Sequence, residues 1–226
     1  MVDKERVRAH FEHVAPEYDA WKRRARYYYA WLARILREEV PAGARVLDIG
    51  CGTGALLAAV QPAYGLGLDL SPAMVRLASV RFPHLRFRIG DADGLDVGEP
   101  FDFVLMVDVL EHLSDPQAAL TCAHRACQAG GQLVLLAANP AWRPILHLAE
   151  RLGLKMPEGD HRWLAAGEVR GLLDAVGFDV IREARRVLVP KRIPLLAWIA
   201  NEYLIRVPIM RSVGLVLVFV ACPRAA

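Results

Sequence analysis

Residues 46 to 54 read VLDIGCGTG. An apolar run leads into three glycines, Gly50, Gly52 and Gly54, and Asp48 stands two residues ahead of the first of them. Glycine adopts backbone conformations closed to other residues and lets a ligand come close to the main chain. The stretch is a strand that ends in a ligand-binding turn, and the residues from Ala55 continue it as a helix.

The same unit repeats outward from that turn. ARVLDIG is followed by the helix from Ala55, and YGLGLDL by a helix with Ser71 as its N-cap and Pro72 in its first turn. LRFRIGD and FDFVLMVDV come next, then a helix entered through Ser114, Asp115 and Pro116 and stopped at Gly130 and Gly131, then QLVLLAAN. Strands joined by helices run parallel, because only a crossover returns the chain in the same direction. The runs are continuously apolar, as in a sheet covered on both faces. After Asn139 the rhythm breaks until a helix at Glu168 to Ala175, capped by Gly177; FDVIREARRVLV and GLVLVFVACP then supply two more strands, with residues 190–212 inserted between them. The expected fold is a doubly wound α/β domain, 41–226, with a seven-stranded, mostly parallel sheet. Ahead of it, Tyr18 to Val40 has the pattern of an amphipathic helix, and residues 1–40 are expected to form a helical lid.

Composition agrees with a single core: of 226 residues 54% are apolar and 23% charged, which is not the balance of a disordered chain. The net charge of +3 is uneven, since residues 182–211 hold seven Lys and Arg against two acids. Cys51, Cys122, Cys127 and Cys222 form no C-x-x-C pair and no zinc spacing, which suits reduced thiols. MVDKERVRAHF is charged where a signal peptide is apolar, so a cytoplasmic location is expected.

GCGTGA at 50–55 fits the dinucleotide pattern G-x-G-x-x-G/A, and Asp69 ends the second strand where an acid takes ribose hydroxyls. An NAD-linked oxidoreductase satisfies that much. Asp48 separates the ligands: a carboxylate in the turn repels a pyrophosphate and attracts an ammonium group, and no Lys or Arg lies between Val46 and Val75. S-adenosylmethionine carries adenine, ribose and an ammonium-bearing tail without phosphate.

These motifs resemble those of the class I S-adenosylmethionine-dependent methyltransferases, particularly the small-molecule and quinone-type members. VLDIGCGTG corresponds to the family's first motif, LDLSPAM to its acidic second strand, GDADGL to its third, and FDFVLMVDVLEHLSDP with GGQLVLLAANP to the next two strands. The resemblance implies a Rossmann-like methyltransferase fold. It also implies that Asp48, Gly50, Cys51, Gly52 and Gly54 line the methionine part of the cofactor, that Asp69 holds its ribose, and that Leu70 and Met74 flank its adenine. Asp91 and the Ala92 amide would meet the adenine edge. Tyr18 and Asp19 occupy a Y-D position on the segment that closes over the cofactor in similar enzymes, with Tyr18 over the sulfonium. Asp108, ending the fourth strand, is counted with these residues. Trp21, Tyr27, Tyr28, Tyr29 and Trp31 either line an acceptor pocket or pack.

A sulfonium methyl is already activated, so positioning supplies most of the catalysis, and a base is needed only when the acceptor must lose a proton. His161 in EGDHRW falls near the carboxyl edge of the sheet and is the candidate base; the same position suits packing on Trp163. Asp108, Glu111 and His112 form a second cluster that could hold a divalent cation, but Ala138 and Asn139 offer no acidic ligand beside it, and no metal is expected.

KRIPLLAWIANEYLIRVPIMR predicts a helix between Pro194 and Pro208, about 21 Å long, too short for a hydrocarbon core of about 30 Å. Its apolar surface, flanked by Lys191, Arg192, Arg206 and Arg211, suits the sheet, an apolar or lipid-like acceptor, a second subunit or an anionic membrane surface. No nucleic-acid-reading motif is present, and nucleic acid is not expected as a partner. The whole describes a methyltransferase acting on a small or medium-sized organic acceptor, at oxygen by its similarity to the quinone-type enzymes. The alternatives are the NAD-linked oxidoreductase and a non-catalytic S-adenosylmethionine-binding module.

Overall fold

VLDIG and the four apolar runs after it become neighbouring parallel strands of one sheet. In the computed structural model, which describes residues 2–94 and 96–224, these are β1 (Arg45–Ile49), β2 (Tyr64–Asp69), β3 (Arg86–Ile89), β4 (Phe101–Val107) and β5 (Cys127–Ala138). β6 (Phe178–Arg186) and β7 (Val216–Pro223) complete seven strands in the order β3-β2-β1-β4-β5-β7-β6, with β7 antiparallel to both neighbours. Leu95, the last residue of GDADGL, lies outside the described residues.

The continuous apolar runs have a direct cause. Leu47, Val104, Leu133 and Leu135 join one buried cluster, while Val46, Leu105, Val134 and Leu136 join another on the opposite face, because successive strand residues point to opposite sides. The strand order reverses between β1 and β4, which opens a crevice at their carboxyl ends.

The helix expected from Tyr18 to Val40 is two helices, α1 (Lys4–Arg24) and α2 (Arg26–Glu39), separated at Ala25. Asp3 starts α1 by accepting from the amides of Glu5 and Arg6. α2 buries Trp31, Leu32, Ile35 and Leu36 in the core cluster that holds Val46 and Val134. It thus packs into the core of the domain, while α1 covers the crevice and Tyr29 of α2 also reaches it.

α3 (Ala55–Ala59) follows the glycine turn, and α4 (Pro72–Arg81) starts as expected, Ser71 Oγ accepting from the Met74 amide at 3.2 Å. α5 (Pro116–Ala126) ends before Gly130 and Gly131, which belong to β5. Pairing of β5 with β4 jumps from Phe101↔Cys127 to Phe103↔Gln132, so the two glycines serve a bulge rather than a helix stop. A side chain at Gly131 would meet the carbonyls of Phe101, Asp102 and Gln128 at 3.0 Å.

α6 (Arg143–Arg151) and α7 (Ala166–Ala175) fill the segment before β6. The insert is not the single helix expected between Pro194 and Pro208 but α8 (Leu196–Glu202), one 3-10 turn at 204–206, and α9 (Pro208–Ser212). Val207 is extended (φ −71°, ψ 128°), as a residue before proline prefers. Buried Asn201 ties α8 back to the chain after β6, accepting from the Leu188 and Val189 amides and donating to the Val189 carbonyl. No described helix is long and apolar enough to cross a membrane.

Candidate active site

A cavity of about 1240 Å³, its open mouth included, lies at the carboxyl ends of β1, β2 and β4 beneath α1. Asp48, Gly50, Cys51 and Gly52 line it from the first turn, Asp69, Leu70 and Met74 from the second, Asp91 and Ala92 from the third, and Asp108 from the fourth. Tyr18 closes it from α1. Gly54 alone among these predicted residues stands outside the lining: it precedes α3 with φ +76° and packs on the Phe87 ring.

The turn is built from main-chain bonds. Gly50 and Cys51 donate to the Leu68 carbonyl at 2.8 and 2.9 Å, and Gly50 has φ +77° with Val109 so near that a Cβ would fall 2.4 Å from its Cγ2. Asp69 joins two turns, its Oδ2 accepting from the Gly52 amide (2.8 Å) and its Oδ1 from the Ser71 amide (2.9 Å). Burial raises its carboxyl above the usual range, and those two amides oppose the rise.

Asp48 is buried at the cavity wall and accepts no hydrogen bond from any described residue. Burial pushes its carboxyl up to about 7; Lys22 pulls it down and Asp69 adds to the rise. Lys22 lines the same cavity, its Nζ 4.4 Å from the centre of the Tyr18 ring and 4.8 Å from that of Tyr29. The cation lacking from residues 46–75 arrives from α1. One signal could have found it, because Lys22 follows Tyr18 by four residues and shares its helix face.

α1 is fastened along its length. Lys4 pairs with Asp91 (2.5 Å) and Asp93 (3.0 Å), so the acid expected at the adenine edge already holds a lysine. Glu12 accepts from Ser71 Oγ and the Ala73 amide at the start of α4. Asp19 accepts from Thr53 Oγ1 and pairs with Arg81, both at 2.8 Å.

The second cluster divides. Asp108 has φ +51°, an uncommon conformation for its type, and its buried Oδ1 has no partner. Burial first, then Glu158, raises its carboxyl. Glu111 turns away from the cavity, its Oε1 accepting from the Ala138 amide at 3.0 Å and its buried Oε2 unpartnered; burial and Asp108 raise it. His112 lines the cavity with Nδ1 3.1 Å from the Asp160 carbonyl, and burial lowers it to about 4, so it is neutral. Among the described residues no group of three or more His, Cys, Asp or Glu is placed to hold a metal ion.

His161 does not line the cavity. Its Nδ1 is 2.9 Å from the Gly159 carbonyl, its ring packs edge-on to Trp163, and its buried Nε2 lies 3.7 Å from Glu158, which does line it. Of the five aromatic residues expected near an acceptor, only Tyr29 reaches the cavity; Trp31 is core, and Tyr27 packs against it. Val7, Phe11 and Met156, none of them predicted, supply apolar lining instead.

Residues 20–183 match a family described as a methyltransferase domain. The chain belongs to the class I S-adenosylmethionine-dependent methyltransferases. It is similar to the ubiquinone biosynthesis O-methyltransferase of a Ruegeria species, 29% identical over 163 residues covering 66% of each chain. It is also similar to that of Cereibacter sphaeroides, 31% identical over 162 residues covering 66% of this chain and 65% of the relative. The chain spans just under two thirds of the length of these curated relatives. A Thermotoga maritima structure described as a methyltransferase, possible histamine N-methyltransferase, superposes with TM-score 0.72 at 21% identity, covering 96% of this chain and all of that one. This methyltransferase thus shares its fold with a solved structure of very different sequence.

Proposed function

We propose that this methyltransferase transfers a methyl group from S-adenosylmethionine to an oxygen of a small or medium-sized, largely apolar acceptor. One observation carries the reading: buried, unpartnered Asp48 and the ammonium of Lys22 face one cavity. An amino-acid tail presents the complementary charges, an ammonium for Asp48 and a carboxylate for Lys22. The other acids argue the same way. Asp48, Asp69, Asp91, Asp93, Asp108 and Glu158 line the cavity against Lys4 and Lys22, and Lys4 is already paired. That balance opposes a diphosphate and hence the NAD-linked alternative. The oxygen assignment follows the names of the two curated relatives.

When bound, S-adenosylmethionine supplies a methyl group already activated on a sulfonium. The chain's own residues do the rest by holding and aligning, which for well-oriented reactants is worth about 7 to 11 kcal/mol. Asp48 and Lys22 hold the tail, Asp69 and the amides it fixes hold the ribose side, and Leu70 and Met74 hold the adenine. Tyr18 and the rest of α1 exclude water. Val7, Phe11 and Met156 offer the acceptor an apolar wall. Asp108 receives its proton, because the unpartnered Oδ1 is an open acceptor and burial has raised the carboxyl towards the working range of a base. His161 takes a positioning role behind Glu158 rather than that of the base.

Calorimetry with S-adenosylmethionine and with NAD, followed by incubation of labelled donor with phenolic acceptors, tests the reading. Donor binding and label on oxygen are expected. Tight NAD binding without donor binding would overturn the cofactor assignment, and donor binding without transfer to any acceptor would return the non-catalytic module.

A further inference from the structure

α8 is inside out for a helix that only fills a groove. Its buried positions are Ala197, Ala200 and Asn201, while Leu196 and Trp198 face solvent. Around it Leu195 is 70% exposed and Ile209 74%, with Tyr203 and Leu204 also outside. α6 repeats the pattern: it buries no residue, and Ile145, Leu148 and Leu152 form an exposed stripe at helical spacing. The two surfaces adjoin, since Trp142 Nε1 at the start of α6 donates to the Val213 carbonyl at the end of α9 at 2.7 Å. Exposed apolar surface of this extent marks an interaction site.

Charge selects the occupant. Both acids of residues 182–211 are spent, Glu183 on Arg170 and Glu202 on Arg34 and Arg206. Lys191, Arg192 and Arg211 have no ion-pair partner among the described residues, and Arg143 and Arg151 bracket α6. A two-fold contact between copies would set these like charges against one another, whereas anionic headgroups neutralise them. Trp198 and Tyr203, edge to face at 5.3 Å, are the residue types that sit at a bilayer interface.

We infer that residues 191–213 and the outer face of α6 dock the protein on an anionic bilayer surface. Beyond α6 the chain passes exposed Leu152 and Leu154 and then supplies Met156 and Glu158 to the cavity. An apolar acceptor therefore reaches the site along a surface already in lipid. This last step rests on the methyl-transfer reading; the docking does not.

The test is co-sedimentation of the full chain with phosphatidylcholine vesicles, with and without phosphatidylglycerol. Sedimentation is expected only with the anionic vesicles and is weakened by salt. K191Q/R192Q/R211Q is expected to lower the partition coefficient about a hundredfold, at about fivefold per charge, and L195S/I209S to lower it on the same vesicles. Donor affinity measured by calorimetry stays unchanged in both variants, which shows that they fold. Equal sedimentation with neutral and anionic vesicles, or none with either, overturns the inference. So does a dimer by light scattering that Ile209→Asp disperses, which would give this face to a second copy. Vesicle binding by a chain that binds no donor would sink the methyl-transfer reading and leave the docking standing.

Discussion

Lys22 carries its ammonium group 4.4 Å from the centre of the Tyr18 ring, one helical turn away on α1. The ring holds the lysine over the cavity, where it faces Asp48 without pairing to it. A cation in this place has a carboxylate to receive. Lys22→Met keeps the length and apolar stem and removes the charge; loss of a charged hydrogen bond, about 1.5 to 3 kcal/mol, is expected to weaken donor binding roughly ten- to a hundredfold by calorimetry. An affinity within twofold of the parent would remove Lys22 from the tail site.

Asp48 makes folding pH-dependent with a definite sign. Its carboxyl titrates near 7 in the folded chain and near 3.9 when unfolded, so between those values the folded state binds the extra proton. Stability from this group is therefore greatest below about pH 4 and declines as pH rises to 7, by at most about 1.4 kcal/mol per pH unit. Asp48→Asn removes that slope, and urea titrations at several pH values, parent against variant, isolate it. Donor binding to the parent is expected to strengthen from pH 5 to 7.5 and to release protons, seen as a buffer-dependent heat. A variant with the parent's slope would show that Asp48 is not the group responsible.

Gly50 is sterically closed on one side by Val109. Gly50→Ala adds a methyl 2.4 Å from Val109 Cγ2 at φ +77°, a clash costing about 1 to 3 kcal/mol and a left-handed conformation costing about 1 to 2 more. Lower stability and lost donor binding are expected. Adding Val109→Ala removes the Cγ2 contact but leaves the Cβ of residue 109 at 2.8 Å and the backbone cost in place, so the double variant recovers only part of the stability lost. Full recovery would mean that the positive φ carries no cost here.

Asp108 and His161 separate on turnover. Asp108→Asn keeps the shape and removes the proton acceptor, for an expected loss of about 10²- to 10⁴-fold in kcat with little change in donor affinity, and the acid limb of the parent's pH–rate profile disappears. His161→Ala acts from outside the cavity, through Glu158 and the neighbouring His112 ring, and its loss is expected to be smaller, with that limb retained. The reverse ranking would restore His161 as the base.

The sheet is legible in the sequence because every parallel strand but β3, which alternates as RFRI, holds an apolar run ended by a turn, and the chemistry of a turn is local. The same holds for the cavity floor, where Asp48 and Asp69 stand at the carboxyl ends of β1 and β2 and Asp91 and Asp108 come within two residues after β3 and β4. What could not be read depends on contacts distant in sequence. Gly130 and Gly131 look like a helix stop until β4 is beside them. Lys22 lies 26 residues ahead of Asp48, and only docking of α1 brings them to one cavity. The sequence puts His161 near the carboxyl edge of the sheet, and Gly159 and Trp163 turn its ring behind Glu158. The insert failed as one helix because proline fixes the residue before it, and because Asn201 bonds main chain in the loop after β6.

α1 is anchored at Lys4, Glu12 and Asp19, all on the side of the crevice formed by β1, β2 and β3. A nucleoside seated in the cavity would lie under a beam held at three points and beside an open mouth, so beam and mouth together govern how spent donor is exchanged. Substitutions at those anchors are expected to speed exchange while loosening the grip on what is exchanged.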